Sequence, residues 1–366
     1  GHDAVIATGT ASGKTLCYIL PALEALLAQP RARALFIYPT KALAQDQLRA
    51  LRELLAGELK RICVGTYDGD TPPAERGKLR RSASILLTNP DMLHRAILPN
   101  HSLWANVLAN LRYVVLDEAH VYRGVFGSHV AAIVRRLRRL CRAYGAQPQF
   151  ICCSATIANP GEHIERLIGR APVVIEGDGA AQSGRDFVFW NPPFSDRKQS
   201  SRRSANIEAS ELFAELARAG LRNITFTRAR VTAELILRYT RRLLAEDRPE
   251  LSRQIAAYRA GYRPEERREI EQALFSGRLL GVAATNALEL GIDVGSLDAT
   301  VLVGYPGTVA STWQQAGRAG RGRKQALTVL IGQDNPLDQY FMRHPESLLG
   351  RPHEHALLAP GNVSVL

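Results

Sequence analysis

The sequence predicts an α/β fold built from two tandem domains, each a parallel sheet flanked by helices. Three observations predict it. Short apolar runs alternate with longer amphipathic stretches along the 366 residues, the pattern of repeated strand–helix units. The alternation breaks once, at 176–187, where EGDGAAQSGRDF is rich in Gly, Asp and Ser and has no period. The strand-like runs of the first half also end in polar or small residues, where a doubly wound sheet places its site. The expected boundaries are 1–176 for a first domain, 177–186 for a linker, 187–335 for a second domain and 336–366 for a tail.

In the first half the strand candidates are AVIA, ALFIYPT, SILLTNP, RYVVLDEAH and QFICCSAT. Each is short, apolar and bounded by turn residues, as a strand buried on both faces requires. Between them, TLCYILPALEALLAQ and HVAAIVRRLRRLCRAYG carry helical periodicity. Pro21 inside the first of these predicts a kink. After the break a second series follows: FVFW, NITFT, QIAAY, LLGVAAT, ATVLVGYP and ALTVLIG. The basic, polar segment at 197–206, RKQSSRRSAN, reads as a solvated loop.

Apolar residues make up 46 % of the chain, which fits a globular protein and excludes a disordered one. The net charge of +12 and pI near 9.8 suit a polyanionic partner. Nearly all the basic residues are arginine. A GC-rich genome accounts for arginine over lysine, but not for the net excess. The five cysteines, Cys17, Cys63, Cys141, Cys152 and Cys153, form no C-x-x-C pair. Their odd number argues against a disulfide framework and for a reducing compartment. No apolar run reaches membrane-spanning length, and the N-terminus lacks a charged-then-apolar leader pattern. A cytoplasmic protein is expected, nucleoid-associated if bacterial, with no membrane partner. The chain opens only a few residues before its first motif, as a fragment of a longer protein would.

That motif is ATGTASGKT, residues 7–15. It follows a strand candidate and opens a helix, the setting of a phosphate-binding loop. The strict pattern asks for glycine at position 8, where this chain has Thr8. The chemical parts remain. Gly9 and Gly13 permit unusual backbone dihedrals. Ala7, Ala11 and Ser12 are small enough for amides to close around phosphate oxygens, and the helix start adds a positive dipole end. Lys14 suits the β- and γ-phosphates, and the Thr15 hydroxyl suits Mg²⁺. Farther on, VVLDEAH places Asp117, Glu118 and His120 at a strand end. One carboxylate there can hold Mg²⁺ through water and its neighbour can act as base, although Asp and Glu are also common helix caps. In the second half, QQAGRAGR sets Arg318 and Arg321 beside glycines, close enough to backbone to neutralise a phosphate. An exposed basic loop is the plainer reading.

With these motifs in order, the chain resembles the superfamily 2 helicases. ATGTASGKT resembles motif I, YPTKALAQDQ motif Ia, TNPDML motif Ib, DEAH motif II and SAT motif III. TFTRAR resembles motif IV, ATNALELGID motif V and QQAGRAGR motif VI. The match covers nearly the whole chain. TYDGDTP, FVFWNPP, FTRAR, YRAGYRPEERREIE and the tail LDQYFMRHPESLLGRPHEHALL are similar to the narrower MrfA/Hrq-type DNA repair helicases, RecQ-related in name. The fold the resemblance implies is two tandem RecA-like domains of the P-loop NTPase kind. That group also carries a downstream module with four metal-binding cysteines. This chain has no such cluster, and His353 and His355 alone do not make a zinc site.

The resemblance implies ATP and Mg²⁺ in a cleft between the domains. Residues Gly9, Thr10, Ala11, Ser12, Gly13, Lys14 and Thr15 would bind phosphate. Thr15 and Asp117 would hold Mg²⁺, and Glu118 would activate water. Arg318 and Arg321 would complete the site on closure, with Gly291 and Gln314 facing it and Asp293 near the ribose. His120, Ser154 and Thr156 would couple it to the strand-binding face. Backbone contacts to nucleic acid would come from Thr40, Lys41, Thr88, Asn89, Arg228, Arg259 and Thr285. The implied partner is single-stranded or tailed duplex nucleic acid bound without sequence preference, DNA by the narrower resemblance, tracked 3′ to 5′. An RNA helicase and an ATP-gated clamp without unwinding stay open. Only twenty residues separate Asp293 from Gln314, and a strand uses eight of them, leaving little room for a long β-hairpin wedge. Poor unwinding of long duplexes by this core alone is therefore expected.

Overall fold

The computed structural model describes residues 1–362 except 10–11, 178, 180–183, 196–200, 260, 291–294 and 321–324. The chain divides into two compact units. One contains residues 1–179 and 355–366, the other 180–354.

The first unit holds seven parallel strands: β1 (Ala4–Ala7), β2 (Arg33–Ile37), β3 (Val64–Thr66), β4 (Ile85–Thr88), β5 (Leu111–Leu116), β6 (Gln149–Ser154) and β7 (Val173–Ile175). Their order across the sheet is β3-β4-β2-β5-β6-β1-β7, and every pairing is parallel. The apolar runs work because successive side chains leave a strand on opposite faces. Val114, Leu116, Phe150 and Cys152 join the core on one side of the sheet. Val115, Ile151 and Cys153 join the core on the other. Burial raises the thiol pKa of Cys141 to about 12 and that of Cys152 well above the usual range. These two are inert core groups, and all five cysteines are free.

The second unit repeats the plan with β8 (Arg185–Trp190), β9 (Asn223–Phe226), β10 (Ile255–Tyr258), β11 (Gly281–Ala284), β12 (Ala299–Val303) and β13 (Ala326–Ile331). Its sheet order is β10-β11-β9-β12-β13-β8, again all parallel. Val301, Val303, Val329 and Ile331 face one core. Leu302 and Leu330 face the other.

Four readings of the sequence need adjustment. Strands β3 and β7 went unread because each is only three residues long, and β7 is exposed along its length. The helix opened by Lys14 continues through Pro21 to Ala28. Strand β8 begins at Arg185, inside the expected linker. The tail also divides. Residues up to Glu354 belong to the second unit, and the segment from His355 belongs to the first. That segment is tied down by backbone. The Asn159 side chain pairs with both the N–H and the carbonyl of Ala356 (2.9 and 3.3 Å), and Ser128 accepts from the Ala359 N–H at 2.9 Å. Among the described residues no helix is long and apolar enough to cross a membrane.

Candidate functional site

The loop after β1 resolves the question of Thr8. Its hydroxyl lies 2.6 Å from the Ser12 hydroxyl, and Ser12 donates to the Gly9 carbonyl at 3.0 Å. Threonine thus closes the loop by a side-chain bond where the strict pattern has glycine. Gly13 precedes the helix Lys14–Ala28 with φ 78, a left-handed conformation that asks for glycine. The Lys14 ammonium donates to the Thr8 and Gly9 carbonyls (2.8 and 2.6 Å). It therefore sits over the loop that its charge would share with phosphate. Thr15 is half-buried in the first helical turn. Thr10 and Ala11 lie outside the described residues.

Asp117 follows β5 directly, and its N–H continues the ladder to the Ile37 carbonyl at 3.1 Å. Its carboxylate is held by two donors. The Glu118 N–H reaches Oδ1 at 2.9 Å, and the Tyr18 hydroxyl reaches Oδ2 at 3.3 Å. Burial, then the charge of Glu118, push the Asp117 pKa up to about 7, against the pull of the Glu118 N–H, Lys14 and Tyr18. A carboxylate so short of positive charge fits a divalent cation. Among the described residues no three ligating side chains converge, so a cation there would rely on water and phosphate for its other ligands.

Glu118 has φ 48, the one left-handed non-glycine among the described residues. Strain of this kind collects at functional positions. The turn Ala119–Val121 that follows is braced from two sides. His120 Nδ1 accepts the Ala155 N–H at 3.1 Å, and burial lowers the pKa of this ring. The imidazole is therefore neutral, and its 3.5 Å approach to the Glu118 carboxylate is no ion pair. His163, fully buried and also shifted downward by burial, donates from Nε2 to the Ala119 carbonyl at 3.0 Å. The link from DEAH to SAT therefore runs through the backbone of Ala155. The Ser154 hydroxyl is turned into the core and donates to the Ala155 carbonyl (2.7 Å), while Thr156 is exposed. The strand ends at Ser154, so Thr156 lies beyond it and is not held to the strand's faces.

In the second unit Arg318 is 3 % exposed, and its guanidinium donates to the Glu289 carbonyl. Arg318 is thus folded inward, against the alternative of an exposed basic loop. The Glu289 carboxylate accepts from the Ser311 hydroxyl and the Gln315 amide (2.6 and 2.9 Å), fastening motif V to the helix Val309–Ala316. Gln314 is buried in that helix. Gly291, Asp293 and Arg321 lie outside the described residues. Between Gly295 and Gln314 the chain forms β12 and enters the helix, with no hairpin.

The residues expected to touch a strand fall into two groups. Thr40, Asn89 and Thr285 are N-caps; Thr40 and Asn89 accept from Leu43 and Met92 N–H groups (3.3 and 2.9 Å). Thr88 is 1 % exposed and donates to the Tyr67 carbonyl at 2.7 Å. Its side chain is committed inside and does not face solvent. The cations Lys41 and Arg228 are exposed and Arg259 is half-buried, and all three are engaged. Lys41 pairs with Asp70 at 2.8 Å. Arg228 donates to the Tyr305 carbonyl. Arg259 pairs with Glu234 at 2.9 Å and lies over the Tyr262 ring at 4.6 Å.

Sequence reasoning missed Tyr18, Tyr38 and His163. A signal for Tyr18 was present: it lies four residues after Lys14, on the same helix face. Nothing in the sequence marked His163, which reaches Ala119 only through the fold.

The chain is similar to known helicases. The DEAD/DEAH box helicase family model matches residues 1–163, and the helicase conserved C-terminal domain model matches 208–323. The chain is 49 % identical over 366 residues to the uncharacterized ATP-dependent helicase YprA of Bacillus subtilis, covering all of this chain and 49 % of that protein. It is 43 % identical over 355 residues to the ATP-dependent helicase HRQ1 of Saccharomyces cerevisiae, covering 95 % of this chain and 33 % of that one. A crystal structure of the helicase MrfA bound to DNA and AMPPNP matches with TM-score 0.94 and 49 % identity, over all of this chain and 51 % of that one. The chain thus spans from a third to about half of the length of these relatives.

Proposed function

The chain belongs to the superfamily 2 DEAD/DEAH box helicases, in the MrfA/Hrq-type group, and from that membership we propose that it is the ATP-driven motor of a DNA helicase that tracks one strand 3′ to 5′ in DNA repair. The observation that carries the reading is the DEAH turn. There Glu118 is held in a strained left-handed backbone beside a buried carboxylate whose pKa burial and the Glu118 charge raise.

Lys14 and the amides around it hold the phosphates. Asp117, with Thr15, would hold Mg²⁺, which when bound would neutralise charge on the phosphate oxygens. Glu118 orients the attacking water and accepts its proton. Arg318 and Arg321 offset charge that develops during transfer. For Arg318 this means exchanging the Glu289 carbonyl for phosphate. Gly291, Asp293 and Gln314 complete the nucleotide contacts. The strand is held by its backbone, through Lys41, Arg228 and Arg259 and through the capping segments at Thr40, Thr88, Asn89 and Thr285, without reading bases. Turnover at His120 and Ala155 is passed to these contacts. The protein acts in the cytoplasm.

Phosphate release measured with matched single strands of DNA and RNA tests the proposal. We expect hydrolysis stimulated by DNA more than by RNA, with binding that weakens steeply as salt rises. Hydrolysis indifferent to either strand would overturn it. With no hairpin between motifs V and VI, a 3′-tailed long duplex should be unwound poorly by this chain and well by a longer one.

A further inference from the structure

Two tyrosine hydroxyls lie fully buried behind the DEAH carboxylates, and nothing in the mechanism above uses them. Tyr18 and Tyr38 are each 0 % exposed, and their hydroxyl oxygens are 3.3 Å apart. Tyr18 also reaches Asp117 Oδ2 at 3.3 Å and Gln47 Oε1 at 3.5 Å. A phenol has one hydrogen to donate. Ionised Asp117 and the Gln47 Oε1 only accept, so the one hydrogen of Tyr18 is shared between them, and Tyr38 donates to the Tyr18 oxygen. The ring of Tyr18 is fixed by an edge-on contact with Phe36, centroids 5.2 Å apart.

These groups come from three different segments of the first unit. Tyr18 is on the helix of the phosphate loop, one turn after Lys14. Tyr38 follows β2, and its N–H bonds the Thr88 carbonyl at 2.9 Å. Gln47 is on the helix Lys41–Leu54, whose first turn carries Thr40 and Lys41. We propose that Tyr18 is a positioning residue of the ATP site. Its hydroxyl, backed by Tyr38 and shared with Gln47, sets the Asp117 carboxylate for its cation and joins it to the segment that meets the strand. The proposal rests on the ATP-site reading above.

The proposal is tested with Tyr18→Phe, Tyr38→Phe and the double variant in the full chain. Phenylalanine keeps the ring packing and removes only the hydroxyl. The first measurement is the Mg²⁺ concentration needed for half-maximal binding of a fluorescent, non-hydrolysable ATP analogue. Tyr18→Phe should raise it about ten-fold, the loss of one hydrogen bond to a charged group. Tyr38→Phe should raise it less, and the double variant no more than Tyr18→Phe alone, because Tyr38 acts through Tyr18. The second measurement is Gln47→Leu, which should lower the stimulation of hydrolysis by single-stranded DNA. An unchanged Mg²⁺ requirement in Tyr18→Phe, or losses that multiply in the double variant, would overturn the inference. A wild-type chain that binds the analogue without hydrolysing ATP would overturn the function proposed above, while the Mg²⁺ titration still decides the role of Tyr18.

Discussion

The two units end their central strands in opposite chemistry. In the first, the end of β5 gathers carboxylates in a buried pocket, and Asp117 is pushed up to about 7 by burial and by Glu118. In the second, the segment after β11 and the helix Val309–Ala316 bury a guanidinium, that of Arg318, on a neutral carbonyl. One end suits a cation and the other suits an anion. In the function proposed above, Mg²⁺ and a nucleoside triphosphate are what these ends take. The difference teaches that each unit carries a desolvated charge of its own, and that the two are of opposite sign.

The largest expected effect breaks the comparison at its anionic end. Glu118→Gln should reduce single-turnover phosphate release by at least a thousand-fold while leaving ATP binding within a few-fold. Lys14→Ala should lose binding as well, since its ammonium is the positive charge at the loop. At the cationic end, Arg318→Ala should slow turnover by on the order of a thousand-fold with a smaller change in ATP affinity. Normal hydrolysis in that variant would leave Arg318 a fastening for motif V and nothing more.

How much of this was legible in the sequence follows the same division. Residues whose role depends on local backbone were readable, because spacing alone places them. Lys14 opens a helix after a strand, and Asp117 and Glu118 end one. The six strands of the second unit and five of the first were readable for the same reason, as short apolar runs between turn signals. Roles that depend on packing were not. Thr88 and Thr156 look alike as hydroxyls at strand ends, yet one is sealed against Tyr67 and the other is exposed. Arg318 was singled out by its glycine neighbours, but its bond to the Glu289 carbonyl joins residues 29 apart, which spacing does not show. The return of residues 355–362 to the first unit depends on Asn159 and Ser128, some 200 residues earlier in the chain.

A smaller effect sharpens the account of the DEAH turn. His163 is buried, and its pKa is lowered from 6.5. The unfolded chain therefore binds a proton below that pH that the folded chain resists, and stability is lost as pH falls through about 6.5. His163→Gln retains a donor for the Ala119 carbonyl but does not titrate. Thermal unfolding followed from pH 7.5 to 5 should show a shallower fall in Tm for this variant than for the wild type. Equal slopes would show that other groups set the acid limit.

The smallest effect concerns the strand-contact face. Lys41 and Asp70 are both about half exposed, at 45 %, so their ion pair is worth at most about 1 kcal/mol. Asp70→Asn should free Lys41 and tighten DNA binding at low salt by up to about five-fold, with the gain lost at high salt. Weaker binding would mean that Asp70 shapes the loop more than it competes with phosphate.

The central claim, that the carboxylates of one unit and the arginine of the other serve a single ATP, is tested most directly by a double-mutant cycle. Single-turnover phosphate release is measured for wild type, Glu118→Gln, Arg318→Ala and the double variant, each saturated with ATP and single-stranded DNA. If both residues act in one transition state, the double variant should be about as slow as the slower single variant. Rate losses that multiply in full would mean that the two residues act independently, and would contradict the claim.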